Sequence, residues 1–131
     1  MIKFYKSRLL SDYSLIEKLE KECGNYVGFK YAVAVDSGTN ALYLSLEWER
    51  LKYGPKRVTI PDRTYVSVAN SIVQTGHTLE LDPDYYAVGC SYLLIGTHVI
   101  DSAHEVKKNV VHDWEDKYCY SFYPTKLVPS Y

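Results

Sequence analysis

Glycine punctuates this chain at Gly28, Gly54 and Gly76, each time closing an apolar stripe of helical spacing and preceding a short apolar run of strand length. That rhythm confines the fold to helices alternating with strands. Leu15, Leu19, Cys23 and Val27 recur every fourth residue, Ser14-Leu15-Ile16-Glu17 has capping-box spacing, and Gly28 stops this first helix. Residues 31–35 then read as a strand. Ala41, Leu42, Leu46 and Trp48 carry a second helix towards Tyr53, where Gly54-Pro55 breaks it. Strands over 58–60 and 79–81 flank a third helix over about 65–75. The order β-α-β-α-β predicts an α/β fold, with a compact, mostly parallel sheet flanked by helices and ligands held beyond the carboxyl ends of the strands.

Past Asp82 the periodicity fades. Residues 85–95 are apolar and rich in tyrosine, and suit a helix or a strand equally. Residues 98–100 read as a strand ending at Asp101, with further late strands over 110–111 and 118–123. With 131 residues and neither repeats nor linkers, the chain is expected to be one domain, 1–131.

Composition narrows the class of partner. Hydrophobic residues make up 47% and charged residues 24%, as in a soluble globular chain, and the net charge of −1 lacks the basic excess that a nucleic-acid or anionic-membrane partner requires. No stretch is long and apolar enough to span a bilayer, and the first 14 residues lack the apolar run of a secretion signal. Cys23, Cys90 and Cys119 are an odd set without CxxC spacing, which suits reduced thiols in a cytoplasmic protein. His77, His98, His104 and His112 have no compact zinc spacing with Cys119, so no metal site is expected. The 14 tyrosines outnumber the 3 Phe and 2 Trp, and supply flat faces with polar tips for wet interfaces or planar ligands.

Four short strings could carry chemistry. Ser37-Gly38-Thr39-Asn40 joins a strand to a helix, where free N–H groups, hydroxyls and the helix dipole favour a phosphate, although the same residues also serve as plain helix caps. Asp101 closes an apolar strand, so its carboxylate either meets a cation or caps a helix starting at Ser102. His104, three residues on, is a candidate general base or a structural donor. Lys126 ends Ser121-Phe122-Tyr123-Pro124-Thr125-Lys126 and, read bare, is a surface lysine.

In their joint order these pieces resemble the sugar aminotransferases of the DegT/DnrJ/EryC1/StrS family, enzymes of fold type I that depend on pyridoxal 5'-phosphate (PLP). The resemblance runs from Leu15 to Asp84 and resumes from Val99 to Lys126. It rests on Gly28-Phe29-Lys30-Tyr31-Ala32-Val33-Ala34-Val35, on Ser37-Gly38-Thr39-Asn40-Ala41-Leu42, on Ile60-Pro61-Asp62-Arg63-Thr64-Tyr65-Val66-Ser67-Val68-Ala69-Asn70, on Val99-Ile100-Asp101-Ser102-Ala103-His104 and on the serine-to-lysine string. It implies a minimal version of the fold type I large domain. Lys126 would hold PLP as a Schiff base and shuttle the substrate proton, while Asp101 would keep the pyridine nitrogen protonated. Gly38, Thr39, Asn40 and Ser121 would hold the phosphate, Tyr65 would stack on the ring, Ala103 would lie against its other face, and His104 would sit near the ring oxygen or Asp101.

There are departures from the family pattern. Asp101 follows Asp82 by only 19 positions, too few for the crossover unit that family members carry there, and the C-terminal small domain of the family is not present in these 131 residues. The resemblance therefore implies an aminotransferase acting between an amino-acid donor and a small keto or sugar acceptor, narrowed in what it accepts. A domain this small is expected to pair as a homodimer to enclose cofactor and substrate, with tyrosine-rich stretches such as Tyr85-Tyr86 and 118–123 lying either at the contact or in the core. A non-catalytic PLP-binding or decoy subunit, or another PLP reaction such as decarboxylation or racemisation, fits the same residues. Arg63 falls where the resemblance has no consistent charge, two residues before Tyr65, and is either an anchor for a donor carboxylate or half of a solvated pair with Asp62.

Overall fold

The computed structural model describes residues 14–111 and 113–126. Contacts among them divide into two compact units, one of residues 14–34 with 107–111, the other of 35–106 with 113–126. His112 lies outside the described residues.

In the first unit, α1 (Ser14–Val27) follows the expected four-residue stripe. Gly28 ends it with φ 93°, a left-handed turn that glycine adopts without a Cβ penalty, and the N–H groups of Gly28 and Phe29 both return to the Gly24 carbonyl at 2.9 Å. Val27 is buried, whereas Leu15 and Leu19 are exposed, so only the C-terminal half of the stripe finds cover within this unit. Residues 110–111 form no strand. Instead the Asn109 and Val110 N–H groups donate to the Tyr26 and Val27 carbonyls at 3.0 and 2.8 Å, satisfying acceptors that a helix end leaves open. Residues 31–35 are also not a strand: the Ala34 N–H bonds the Glu20 carboxylate at 2.8 Å, and Tyr31 and Val33 are exposed. Their alternation suits a strand, but no ladder partner is present among the described residues.

The second unit begins with α2 (Gly38–Tyr53), whose N-cap Ser37 accepts the Asn40 N–H at 3.2 Å and whose C-cap Gly54 has φ 80°. Strand β1 (Arg57–Pro61), helix α3 (Val66–Gln74) and strand β2 (Thr78–Asp82) follow, and β1 pairs with β2 in parallel from Arg57↔Thr78 to Pro61↔Asp82. This is the strand–helix–strand crossover that the alternation predicts. Gly76, with φ 76°, ends α3 as expected.

The expected single, mostly parallel sheet is instead two small sheets, one parallel and one mixed. In the mixed sheet, β3 (Tyr92–Leu93) is antiparallel to β4 (Val99–Ser102), and β4 is parallel to β5 (Lys117–Tyr120). The cause is local. Residues 94–99 make a tight reversal, with the Leu94 N–H on the Val99 carbonyl at 2.8 Å and Gly96 at φ 98°, and so short a connection can only join antiparallel strands. Leu42 and Leu46 of α2, Val58 and Ile60 of β1, Val68 and Ile72 of α3, and Leu94, Val99 and Cys119 form a shared buried core. No helix among the described residues is long and apolar enough to cross a membrane.

Candidate functional site

At the N-terminus of α2 the Ser37 cap uses the Asn40 N–H, while among the described residues no hydrogen bond engages the N–H groups of Gly38 and Thr39. Packing sets Ser121, just past the carboxyl end of β5, directly against this turn: a Cβ on Gly38 would lie 3.1 Å from the Ser121 Cβ and 3.5 Å from its Oγ. Two residues 83 positions apart in sequence thus converge on a helix end with donors to spare. Asn40 is partly engaged at the same turn. Its side-chain amide donates to the Asp36 carboxylate at 2.6 Å, and the Ser37 hydroxyl donates to the same oxygen at 3.3 Å.

Asp101 lies inside β4, opposite Cys119 of β5, and is buried. No helix starts at Ser102, so the capping alternative falls away. One carboxylate oxygen accepts the Tyr92 hydroxyl at 3.0 Å and the other accepts the Ala103 N–H at 2.9 Å. Burial, and then the charge of Asp101, push the Tyr92 phenol well above its ordinary range, so it stays a donor. Its oxygen also meets the Thr64 hydroxyl, which ties the loop after β1 to the carboxylate. Burial pushes the Cys119 thiol up to about 12, leaving it neutral beside Asp101. Among the described residues no cation bonds Asp101, an unusual state for a buried carboxylate.

Lys126 closes a turn, its N–H on the Tyr123 carbonyl at 2.8 Å, and its Nζ lies 3.3 Å from Nε2 of the exposed His104. His104 is therefore beside the lysine rather than beside Asp101. Tyr65 is the N-cap of α3 without a side-chain cap bond and is exposed, leaving its ring available for stacking. Arg63 is also exposed, and no ion pair joins it to Asp62. The fold thus brings together Gly38 with Ser121, Ala103 with Asp101, and His104 with Lys126, but neither Tyr65 nor Arg63 bonds any of these.

The sequence reading missed three participants. Tyr92 and Thr64 hold Asp101, and Tyr92 went unseen because it lies in the run of weak periodicity before the reversal at Gly96. Glu49 is fully buried, with Lys117 at 2.7 Å, Lys56 at 3.3 Å and His98 at 3.2 Å from its carboxylate. A signal existed: Glu49 falls three residues after Leu46 and seven after Leu42, on the same buried stripe of α2. No group of three or more metal-ligating side chains occurs among the described residues.

An α/β unit with a helix end open to an anion and a buried acid at a strand end defines a class of ligand-binding fold rather than one protein. The model of the DegT/DnrJ/EryC1/StrS aminotransferase family matches residues 1–92, and the chain belongs to that family. It is similar to the spore coat polysaccharide biosynthesis protein SpsC of Bacillus subtilis (strain 168), 38% identical over 88 residues that make up 60% of this chain and 22% of that protein. It is also similar to GDP-perosamine synthase of Caulobacter vibrioides, 39% identical over 64 residues, 48% of this chain and 17% of that protein. The chain thus spans under a quarter of the length of these relatives. Asp101, Ala103, His104, Ser121 and Lys126 all lie beyond the matched residues. No solved structure matches the chain.

Proposed function

We propose that this chain forms the cofactor end of an aminotransferase site, holding PLP through Lys126 and moving an amino group from an amino-acid donor to a small keto or sugar acceptor. The observation that carries this reading is the convergence of Gly38 and Ser121 at the N-terminal end of α2, because the missing Cβ lets Ser121 come close enough for its hydroxyl to join the helix N–H groups in holding an anion. The uncompensated Asp101 fits the same cofactor, whose pyridinium would be its counter-ion. When bound, PLP supplies an electron-withdrawing ring that stabilises negative charge at the substrate α-carbon.

The chain's own residues then have distinct tasks. Gly38, Thr39 and Ser121 bind the phosphate, with Asn40 restrained by Asp36. Asp101, oriented by Tyr92 and the Ala103 N–H, holds the proton on the ring nitrogen. Lys126 is the covalent partner and, with His104 in hydrogen-bond reach, moves the substrate proton. Tyr65, whose ring is exposed, and Ala103 would pack on the ring of bound PLP. A second copy of the chain completes the wall around the substrate.

Reduction with borohydride tests this. Full chain incubated with PLP is expected to carry a phosphopyridoxyl group on Lys126 in peptide maps, and Lys126→Ala to lose it while keeping its circular dichroism. An adduct spread evenly over other lysines would overturn the reading.

One observation bears on how tightly this turn would hold the phosphate. The Asp36 carboxylate occupies the turn where phosphate charge would gather, and like charges weaken binding there. Asp36→Asn is therefore expected to tighten inorganic phosphate binding about two- to tenfold in a calorimetric titration at low salt. Unchanged affinity would place the phosphate away from this turn.

A further inference from the structure

The parallel pair β1 and β2 ends in a cleft. Its walls are Asp62 and Arg63, which follow β1, and Pro83, Tyr85, Tyr86 and Val88, which follow β2, around a solvent-open cavity of about 120 Å³. Ligands in parallel α/β sheets gather at this carboxyl edge, where loops from adjacent strands leave a crevice. The wall is built rather than incidental: the Asp62 N–H is held on the Asp82 carbonyl at 3.2 Å, and the Tyr85 hydroxyl on the Leu93 carbonyl at 2.8 Å. The charge on Arg63 is uncommitted. Arg57 pairs with Glu80 and Arg50 with Glu47, but among the described residues no carboxylate pairs with Arg63, even though Asp62 precedes it.

We infer that this cleft binds a carboxylate, with the Arg63 guanidinium as its anchor. Guanidinium meets a carboxylate through two parallel hydrogen bonds, a geometry that selects planar anions. Tyr85, Tyr86 and Val88 add short apolar faces to a lining that is otherwise mostly polar, which suits a small ligand with a polar group at each end, such as a dicarboxylic amino acid. Thr64, next in sequence, bonds Tyr92, which bonds Asp101, so the cleft loop and the proposed ring site share one hydrogen-bonded link. Asp62 in the same wall favours the ammonium of such an amino acid on its side of the cleft. Binding does not depend on PLP, and only the assignment of the carboxylate to an amino donor rests on the aminotransferase reading.

Glutarate added to ¹⁵N-labelled full chain without PLP, at low salt, tests this. Saturable shifts are expected in the amides of 62–64 and 84–88, with none for uncharged glutaramide. Arg63→Gln should weaken glutarate at least tenfold, Arg63→Lys by less, and Asp62→Asn should tighten it. No saturable shift in the wild type, shifts confined elsewhere, or equal affinity in a folded Arg63→Gln variant would each overturn the inference. A failed Lys126 adduct, by contrast, overturns only the PLP reading.

Discussion

Gly96→Ala is expected to destabilise the second unit by about 3 kcal/mol or more, because two costs coincide there. Gly96 has φ 98°, a region in which a Cβ is strained whatever the space around it. A Cβ built there also collides with the backbone carbonyl oxygen of Arg57, and a backbone group cannot swing aside as a side chain can. The residue sits between Ile95, bridged to Thr59 by two hydrogen bonds of 3.0 Å, and Thr97, whose hydroxyl closes the reversal on the Leu94 carbonyl at 2.7 Å. Relief of the collision must therefore part β1 from this reversal. Gly89→Ala is the control, since Gly89 has φ 79° but open space around it, and should cost about 1 kcal/mol. Urea midpoints for the two variants decide the matter, and equal losses would mean that the approach of Arg57 is not what requires glycine.

The second large effect is expected at Glu49. Its carboxylate is fully buried and shared by Lys117, Lys56 and His98, so removing it strands two ammonium groups against the core. Removing one partner of a buried ion pair costs about 3–5 kcal/mol when the remaining charge cannot escape. Lys117 and Lys56 keep about a quarter of their side-chain surface exposed and can turn outward, so Glu49→Leu should cost about 2–4 kcal/mol. The pH dependence identifies the cause. Burial raises the carboxyl's pKa, but Lys117, His98 and Lys56 together outweigh it and hold it below the ordinary glutamate value of 4.5. A depressed folded value means that this stabilisation is complete above pH 4.5 and drains away as pH falls through the folded value. Wild type and Glu49→Leu should therefore converge in acid. A gap that persists at a pH low enough to protonate the folded carboxyl would assign the loss to packing.

How legible the molecule was in its sequence depended on the range of the interaction. The stops at Gly28, Gly54 and Gly76 were readable, and all three adopt positive φ, because the steric freedom of glycine acts within a few bonds. The β1–α3–β2 unit was readable because a helix of nine residues bounded by apolar runs forces a parallel crossover. Residues 31–35 misled, since alternation marks strand capacity while a strand exists only with a partner, and residues 85–95 gave no period because only Tyr92 and Leu93 lie in a strand and most of the rest is turn, bend or irregular backbone. At the site, residue types and their order were legible as a family pattern, and the helix end at Ser37 was legible as a cap.

Sequence alone thus determined where helices stop, which runs can pair, and that a phosphate-ready turn, an acid and a lysine occur in that order. Tertiary structure alone decided that Gly38 faces Ser121, that Asp101 is buried under Tyr92, that Asp36 takes the Asn40 side chain, and that Arg63 lines a cleft without a counter-ion among the described residues. The physical reason is the same throughout. Backbone sterics and periodicity are set by near neighbours along the chain, whereas burial, ion pairing and the sharing of hydrogen bonds are set by residues tens of positions away, whose proximity only the completed fold creates.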